Sequence, residues 1–262
     1  MPRLRVAYLD TETTGLSART DRIVEIAVVL AEVEWATGAI VQRLDEYQGL
    51  QDPGRRIPRE AIAVHGITDS MVRGQRIESR RVLRLLGAAD ICMAHNSGFD
   101  RGFVAQVLPQ AGAYLWGCTC RGIPWKKLYP GLSSTSIQAL AAYFGTQKGE
   151  AHRALGDVES QMNLVSQPGI QGGLAFKHYL LHMKLRRPGL APRVDLAPDQ
   201  SYKRMVVGLR ASSFNPTNTG PAWLQSPPVV QPEPSLLQGF RQAMDSTESL
   251  AHLLSDPYIP RR

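Results

Sequence analysis

The sequence has little cysteine: three in 262 residues, Cys92, Cys118 and Cys120. Their odd number and spacing fit no disulfide framework, so a reducing, cytoplasmic setting is expected. No apolar run approaches the ~20 residues that a membrane helix needs, so no membrane association is expected. Met1-Pro2-Arg3-Leu4-Arg5-Val6 is basic but opens no long apolar segment, so no secretory signal is expected either. A zinc-type cluster is also missing. Cys118-x-Cys120 has neither ribbon nor redox spacing. His178 and His182 lie four apart on an expected helix without a nearby carboxylate. There are no internal repeats. What is present is a normal apolar fraction, 43%, which excludes disorder throughout and is enough for a folded domain with a core.

Charge is unevenly spread. The net charge is +7, which suggests a polyanionic partner only weakly. Residues 1–170 hold 19 Lys and Arg against 17 Asp and Glu, whereas residues 171–262 hold 11 against 6. Proline divides the chain similarly, with 11 of its 18 prolines in residues 188–262. A helix is expected over 171–187. The stretch 188–234, rich in Pro, Ser, Gln and Asn, reads as an extended or disordered linker. Beyond it, 235–262 is a short amphipathic tail in which Ser235 can cap a helix bearing Leu237, Phe240, Met244, Ala251 and Leu254. Such a tail is either a docking peptide or a segment that folds back on the domain.

Residues 1–170 form the expected main folded domain, with strands and helices alternating. Strands are expected at Leu4–Leu9, Ile23–Val33, Ile40–Leu50 and Asp90–Ala94. Helices are expected from Pro58 to Val64 and over Gln75–Gly87, Ser97–Val107, Ser136–Phe144 and Ala151–Val165. Interleaving of this kind indicates α/β architecture.

Three segments place carboxylates at strand ends or helix starts. In Asp10-Thr11-Glu12-Thr13-Thr14-Gly15, two carboxylates one residue apart project to the same side of an extended backbone. Crowding them is costly unless a cation offsets them. The Thr-Thr-Gly that follows offers hydroxyls and amides to a ligand near the backbone. Ala94-His95-Asn96-Ser97-Gly98-Phe99-Asp100 follows a strand and puts Asp100 near a first helical turn, where the helix dipole favours a carboxylate. In Ala151-His152-Arg153-Ala154-Leu155-Gly156-Asp157, His152 and Asp157 would lie about 140° apart on one helix. They converge only if His152 sits in the approach to the helix and Asp157 within it. Four carboxylates with one histidine favour Mg²⁺ or Mn²⁺ over zinc. Two such ions about 3.5–4 Å apart can hold the attacking and leaving oxygens of a phosphodiester. A histidine, with a reference pKa near 6.5, is suited to accept a proton from the attacking water. Singly, each segment reads as a surface pair, a helix cap or a packed histidine. Their joint order is what points to chemistry.

Together these segments resemble the Exo I, Exo II and Exo III motifs of the DEDDh exonucleases, the DnaQ-like group within the ribonuclease H-like fold. Val64-His65-Gly66-Ile67-Thr68 is also similar to a segment of that family, and the resemblance covers about residues 4–166. It implies a ribonuclease H-like mixed five-stranded sheet with an antiparallel second strand and helices on both faces, here followed by a proline-rich C-terminal extension. It implies a 3′→5′ exonuclease that releases nucleoside 5′-monophosphates, with two Mg²⁺ or Mn²⁺ ions per site. Asp10, Glu12 and Asp157 would ligate the metals, Asp100 would assist partly through water, and His152 would be the general base. Thr13, Thr14 and Leu16 would contact the last nucleotides, with His65, Asn96 and Phe99 around the terminal sugar and base. The branch that includes the proofreading subunit of DNA polymerase III adds an expected role in proofreading or repair at DNA 3′ ends. An RNA 3′-end exonuclease is the alternative. Another is an adaptor whose tail recruits a polymerase or DNA.

Two further features have competing readings. Arg73, Arg76, Arg80 and Arg84, with Arg81 beside them, follow helical spacing and form either a phosphate-contacting stripe or, as the simpler reading, a solvated helix face. Trp116, Trp125, Lys126 and Lys127 either stack a base and hold phosphate or, more simply, pack in the core and at the surface.

Overall fold

The run Ile23-Val24-Glu25-Ile26-Ala27-Val28-Val29-Leu30 is apolar at all but one position, and a strand of this composition needs cover on both faces. In the computed structural model it forms strand β2, Ile23–Glu34, buried along nearly its whole length. The structure describes residues 3–146, 152–169 and 173–186. The expected linker at 188–234 and tail at 235–262 lie outside them.

Strand β1, Arg3–Thr13, pairs antiparallel with β2, which pairs antiparallel with β3, Ile40–Leu50. Helices α1 (Arg59–His65), α2 (Asp69–Val72) and α3 (Ser79–Ala88) follow. Strand β4, Ile91–Ala94, then returns parallel to β1 on its other side. Helix α4 (Ser97–Val107) and a 3₁₀ turn (Pro109–Ala113) lead to β5, Trp116–Cys118, parallel to β4. Short helices α5 (Thr119–Gly122) and α6 (Trp125–Leu128) precede α7 (Ile137–Phe144), α8 (Ala154–Val165) and α9 (Ala175–Arg186). The sheet order is β3-β2-β1-β4-β5, so β2 alone runs against the other four. This is the expected mixed five-stranded sheet flanked by helices.

The core lies along the sheet. Ala7, Leu9, Ile26, Val28 and Leu30 pack with Val82, Leu85 and Leu86 of α3 and with Phe103 and Val104 of α4. Helix α9 is part of the packed domain: Ala175, Phe176 and Leu180 are buried, and the Phe176 ring lies 6.0 Å from that of Tyr8 on β1.

Three local differences have physical causes. β1 continues four residues past Leu9 because Asp10, Thr11 and Glu12 stay in register with Ala27, Ile26 and Glu25. The helix expected over Gln75–Gly87 starts only at Ser79. Gly74 adopts φ 72°, and Asp52, Gln51 and Tyr47 bond the backbone of Gln75, Ile77 and Glu78 in place of a helical turn. Arg73 and Arg76 are therefore not on one helix face with Arg80 and Arg84. Trp116 lies in β5, the one strand of the five whose position the periodicity did not mark, and Trp125 is a core residue whose indole donates to the Thr119 carbonyl at 2.8 Å.

Phe176→Ala is expected to lower stability by roughly 3–5 kcal/mol, the usual cost of emptying a buried aromatic site. Chemical denaturation of the full chain measures this. A loss within the error of the measurement would contradict the placement of α9 in the core.

Candidate active site

β1 carries the first two carboxylates. Asp10 and Glu12 alternate with Leu9 and Thr11, so both leave the strand on one side while their neighbours pack. The register slips between Glu12 and Thr13, a bulge at the point where the strand turns away. The chain then folds tightly. The Thr13 hydroxyl donates to the Gly15 carbonyl at 2.6 Å, and the Thr14 hydroxyl accepts the Arg22 amide at 3.0 Å. A Cβ on Gly15 would lie 2.6 Å from the Asp21 carboxylate, so a side chain there would have to displace it. Leu16, at the tip, is 89% exposed.

β4 delivers the third carboxylate. Asn96 follows it at the N-cap position of α4, and Asp100 stands in the first turn, buried. Asp100 accepts the Thr11 hydroxyl at 2.9 Å, which binds α4 to β1. Phe99 packs on Phe103 at 4.8 Å between ring centroids, and Asn96 is exposed. The fourth carboxylate, Asp157, comes from the first turn of α8. His152 lies before that helix with φ 62°, so the two converge across a turn and not along one ridge. The Asp157 carboxylate accepts a hydrogen bond from the His152 backbone N–H.

Carboxylate oxygens of Asp10, Glu12 and Asp157 lie within 4.8 Å of one another. Asp100 stands beside this trio. Electrostatics reflect the crowding. Burial, then the charges of Asp100, Asp157, Glu12 and Glu25, hold Asp10 well above the usual carboxylate range. Burial, followed by Asp157 and Glu25, pushes Glu12 up to about 7. Burial pushes Asp100 up to about 7 despite its bond from Thr11, and burial also raises Asp157 against the pull of His152. Oxygen donors that repel one another in a partly desolvated place suit a hard divalent cation, which relieves both costs. Among the described residues, His178 and His182 join no such group.

His65 closes α1, whose chain reverses at Gly66 with φ 71°. Its Nδ1 accepts the Ile67 amide at 3.0 Å, which leaves the ring proton on Nε2. Burial lowers its pKa, which favours the neutral ring. His95, in contrast, is a structural residue. Its ring bonds Thr119 and the Thr135 carbonyl, and Gln161 of α8 donates to the same Thr119 hydroxyl at 3.1 Å.

The reading of the sequence missed Glu25. It is 1% exposed, opposite Glu12 in the β1–β2 ladder, and it accepts two hydrogen bonds from Arg153. The signal was there: a single charge inside an apolar strand must find a partner. Burial works to raise its pKa, but the bonds from Arg153, the Ala154 amide and Gln48 outweigh this and hold it low.

With this geometry in view, the profile of the exonuclease (RNase T) family matches residues 8–165. The chain belongs to the exonuclease family. The match spans β1 through α8 and contains all four carboxylates and His152. The exonuclease domain is 29% identical over 160 residues to a DNA polymerase III PolC-type protein of Clostridium perfringens, covering 60% of this chain and 10% of that one. It is 30% identical over 165 residues to the 3′-5′ exonuclease DinG of Bacillus subtilis, covering 61% of this chain and 17% of that one. The chain thus spans about a tenth to a sixth of these relatives. Among solved structures, an exonuclease I superimposes with a TM-score of 0.52 at 18% identity, covering 71% of this chain and 42% of that one, which supports the fold. Among the described residues, no helix is long and apolar enough to cross a membrane.

Without metal, stability should fall as pH rises. Glu12 and Asp100 bind protons more tightly folded, near 7, than at their ordinary 4.5 and 3.8. Their favourable contribution is complete below the ordinary values and is lost as pH rises to about 7. Thermal melts in EDTA should give a lower Tm at about pH 8 than at about pH 5, with Mn²⁺ restoring more at the higher pH. Asp10→Asn should flatten the slope. A metal-free Tm that rises over this interval would contradict the electrostatic account.

Proposed function

We propose that the exonuclease domain hydrolyses phosphodiester bonds at DNA 3′ ends, releasing nucleoside 5′-monophosphates, in proofreading or repair. The observation that carries this reading is the convergence of Asp10, Glu12 and Asp157, with Asp100 and His152 at its margin. The names of the PolC-type and DinG relatives support DNA as the polymer and 3′ to 5′ as the direction.

Asp10, Glu12 and Asp157 would hold Mg²⁺ or Mn²⁺, two ions in this reading, with Asp100 assisting partly through water. Bound there, the cations would neutralise the carboxylates and polarise the phosphodiester. The protein's own groups do the rest. An imidazole nitrogen of His152 takes the proton of the attacking water. The water oxygen bonds to phosphorus, and the bond from phosphorus to the 3′ oxygen of the preceding nucleotide breaks. That oxygen takes a proton and becomes the new 3′ hydroxyl. Leu16, exposed at its tip, and the backbone at Thr13 and Thr14 lie where the last nucleotides would enter. His65, Asn96 and Phe99 would border the terminal sugar and base.

The test is digestion of 3′-labelled and 5′-labelled DNA and RNA oligomers with Mn²⁺, Mg²⁺ or EDTA. DNA should shorten from its 3′ end only with metal. Faster digestion of RNA under the same conditions would favour the RNA-directed alternative, and no shortening of either polymer would refute the enzyme reading. Asp10→Ala should abolish activity in a folded protein. His152→Ala should slow hydrolysis by roughly 10²–10⁴-fold, the range for loss of a general base.

A further inference from the structure

Glu25 and Arg153 form a clamp that the reaction described above does not use. Glu25 lies in β2, inside the sheet, with its side chain 1% exposed. Its carboxylate receives four hydrogen bonds. Arg153 donates from Nε at 3.1 Å and from Nη2 at 2.7 Å, the Ala154 amide donates at 3.0 Å and Gln48 donates at 2.9 Å. Two of these bonds form a planar fork, the arrangement that fixes an arginine most firmly. The third satisfies the first amide of α8, which has no partner within the helix. A rigid strand thereby holds both the side chain of Arg153 and the backbone one residue on.

His152 immediately precedes the clamped pair. Its φ of 62° is a left-handed conformation that a residue with a side chain keeps only under constraint. Two more bonds close the turn. The Asp157 amide donates to the Arg153 carbonyl at 2.9 Å, and the His152 N–H donates to the Asp157 carboxylate. The backbone position from which the imidazole departs is therefore set by where Arg153 is held.

The geometry points to Glu25 and Arg153 as positioning residues that fix the His152 imidazole at the carboxylate trio. This rests on the reading of His152 as the base. Neither residue has to touch the substrate. Gln48, on β3, fixes the outer side of the same carboxylate, so the chain of support runs from the sheet edge through Glu25 and Arg153 to His152.

The experiment uses the full chain with Mn²⁺ at saturation. Arg153→Ala should lower kcat by about 10–100-fold with KM within about threefold, because a displaced base loses rate and not affinity. Arg153→Lys, which keeps the charge but not the fork, should recover part of that loss. The deciding measurement is the double variant. If Arg153 acts through His152, then His152→Ala/Arg153→Ala should be no slower than His152→Ala alone within about threefold. Full additivity of the two losses, or wild-type kcat in Arg153→Ala, overturns the inference. A second readout needs no activity: the His152 ring resonance, assigned by its loss in His152→Ala, should shift or broaden in both Arg153→Ala and Glu25→Gln. An unchanged resonance in folded variants also overturns the inference. A wild-type protein that digests neither DNA nor RNA while its His152 signal responds to Arg153→Ala would refute the proposed reaction and leave the coupling standing.

Discussion

Like charge held in one place is the constraint on which this domain is built. Asp10, Glu12, Asp100 and Asp157 come from three separate stretches of chain, and each is shifted toward its neutral form by burial. A flexible chain would separate them at once. They stay together because each stands on an element whose other residues are committed to the core: β1 through Leu9 and Tyr8, α4 through Phe103 and Val104, α8 through Val158, Met162 and Val165. Hydrophobic burial, which is not directional, supplies the force that holds a directional and repulsive cluster in shape.

Two polar devices refine this. The Thr11 hydroxyl fixes Asp100 against the strand that carries the first pair. Glu25 binds the entry to α8 from the opposite side. In both cases a hydrogen bond crosses between elements far apart in sequence, and in both the acceptor is a carboxylate that the sheet or helix has already buried. A second polar set, His95, Thr119 and Gln161, joins the strand leading into α4 with α8. The two helices that bear Asp100 and Asp157 are thus tied to each other as well as to β1.

Much of this was legible in the sequence. The period-two spacing of Asp10 and Glu12, the strand and helix alternation, and the spacing of His152 to Asp157 are local signals, and the structure places those residues where local rules put them. Helix α4 and strand β3 have the bounds that periodicity suggests. What stayed hidden depends on contacts between distant segments. β5 is three residues long and is a strand only because β4 lies beside it. Gln75–Glu78 has helical periodicity, but Gln51 and Tyr47 compete for its backbone. Glu25 looked like an interruption of an apolar run because Arg153, 128 residues away, was not visible as its partner. The family profile covers the same span as the motifs, residues 8–165, while α9 packs outside it.

The two halves of the site are built to different tolerances. Asp10 and Glu12 belong to a central strand with neighbours on both sides, so the sheet holds their backbone whatever side chains they carry. His152 stands on a turn whose hold is a few polar bonds to side chains. The strand therefore tolerates exchange of its acidic side chains, whereas the turn keeps its shape only while Glu25 and Arg153 stay paired. Over evolutionary time Glu25 and Arg153 are thus expected to change together, because loss of Arg153 alone would leave a buried charge unmatched.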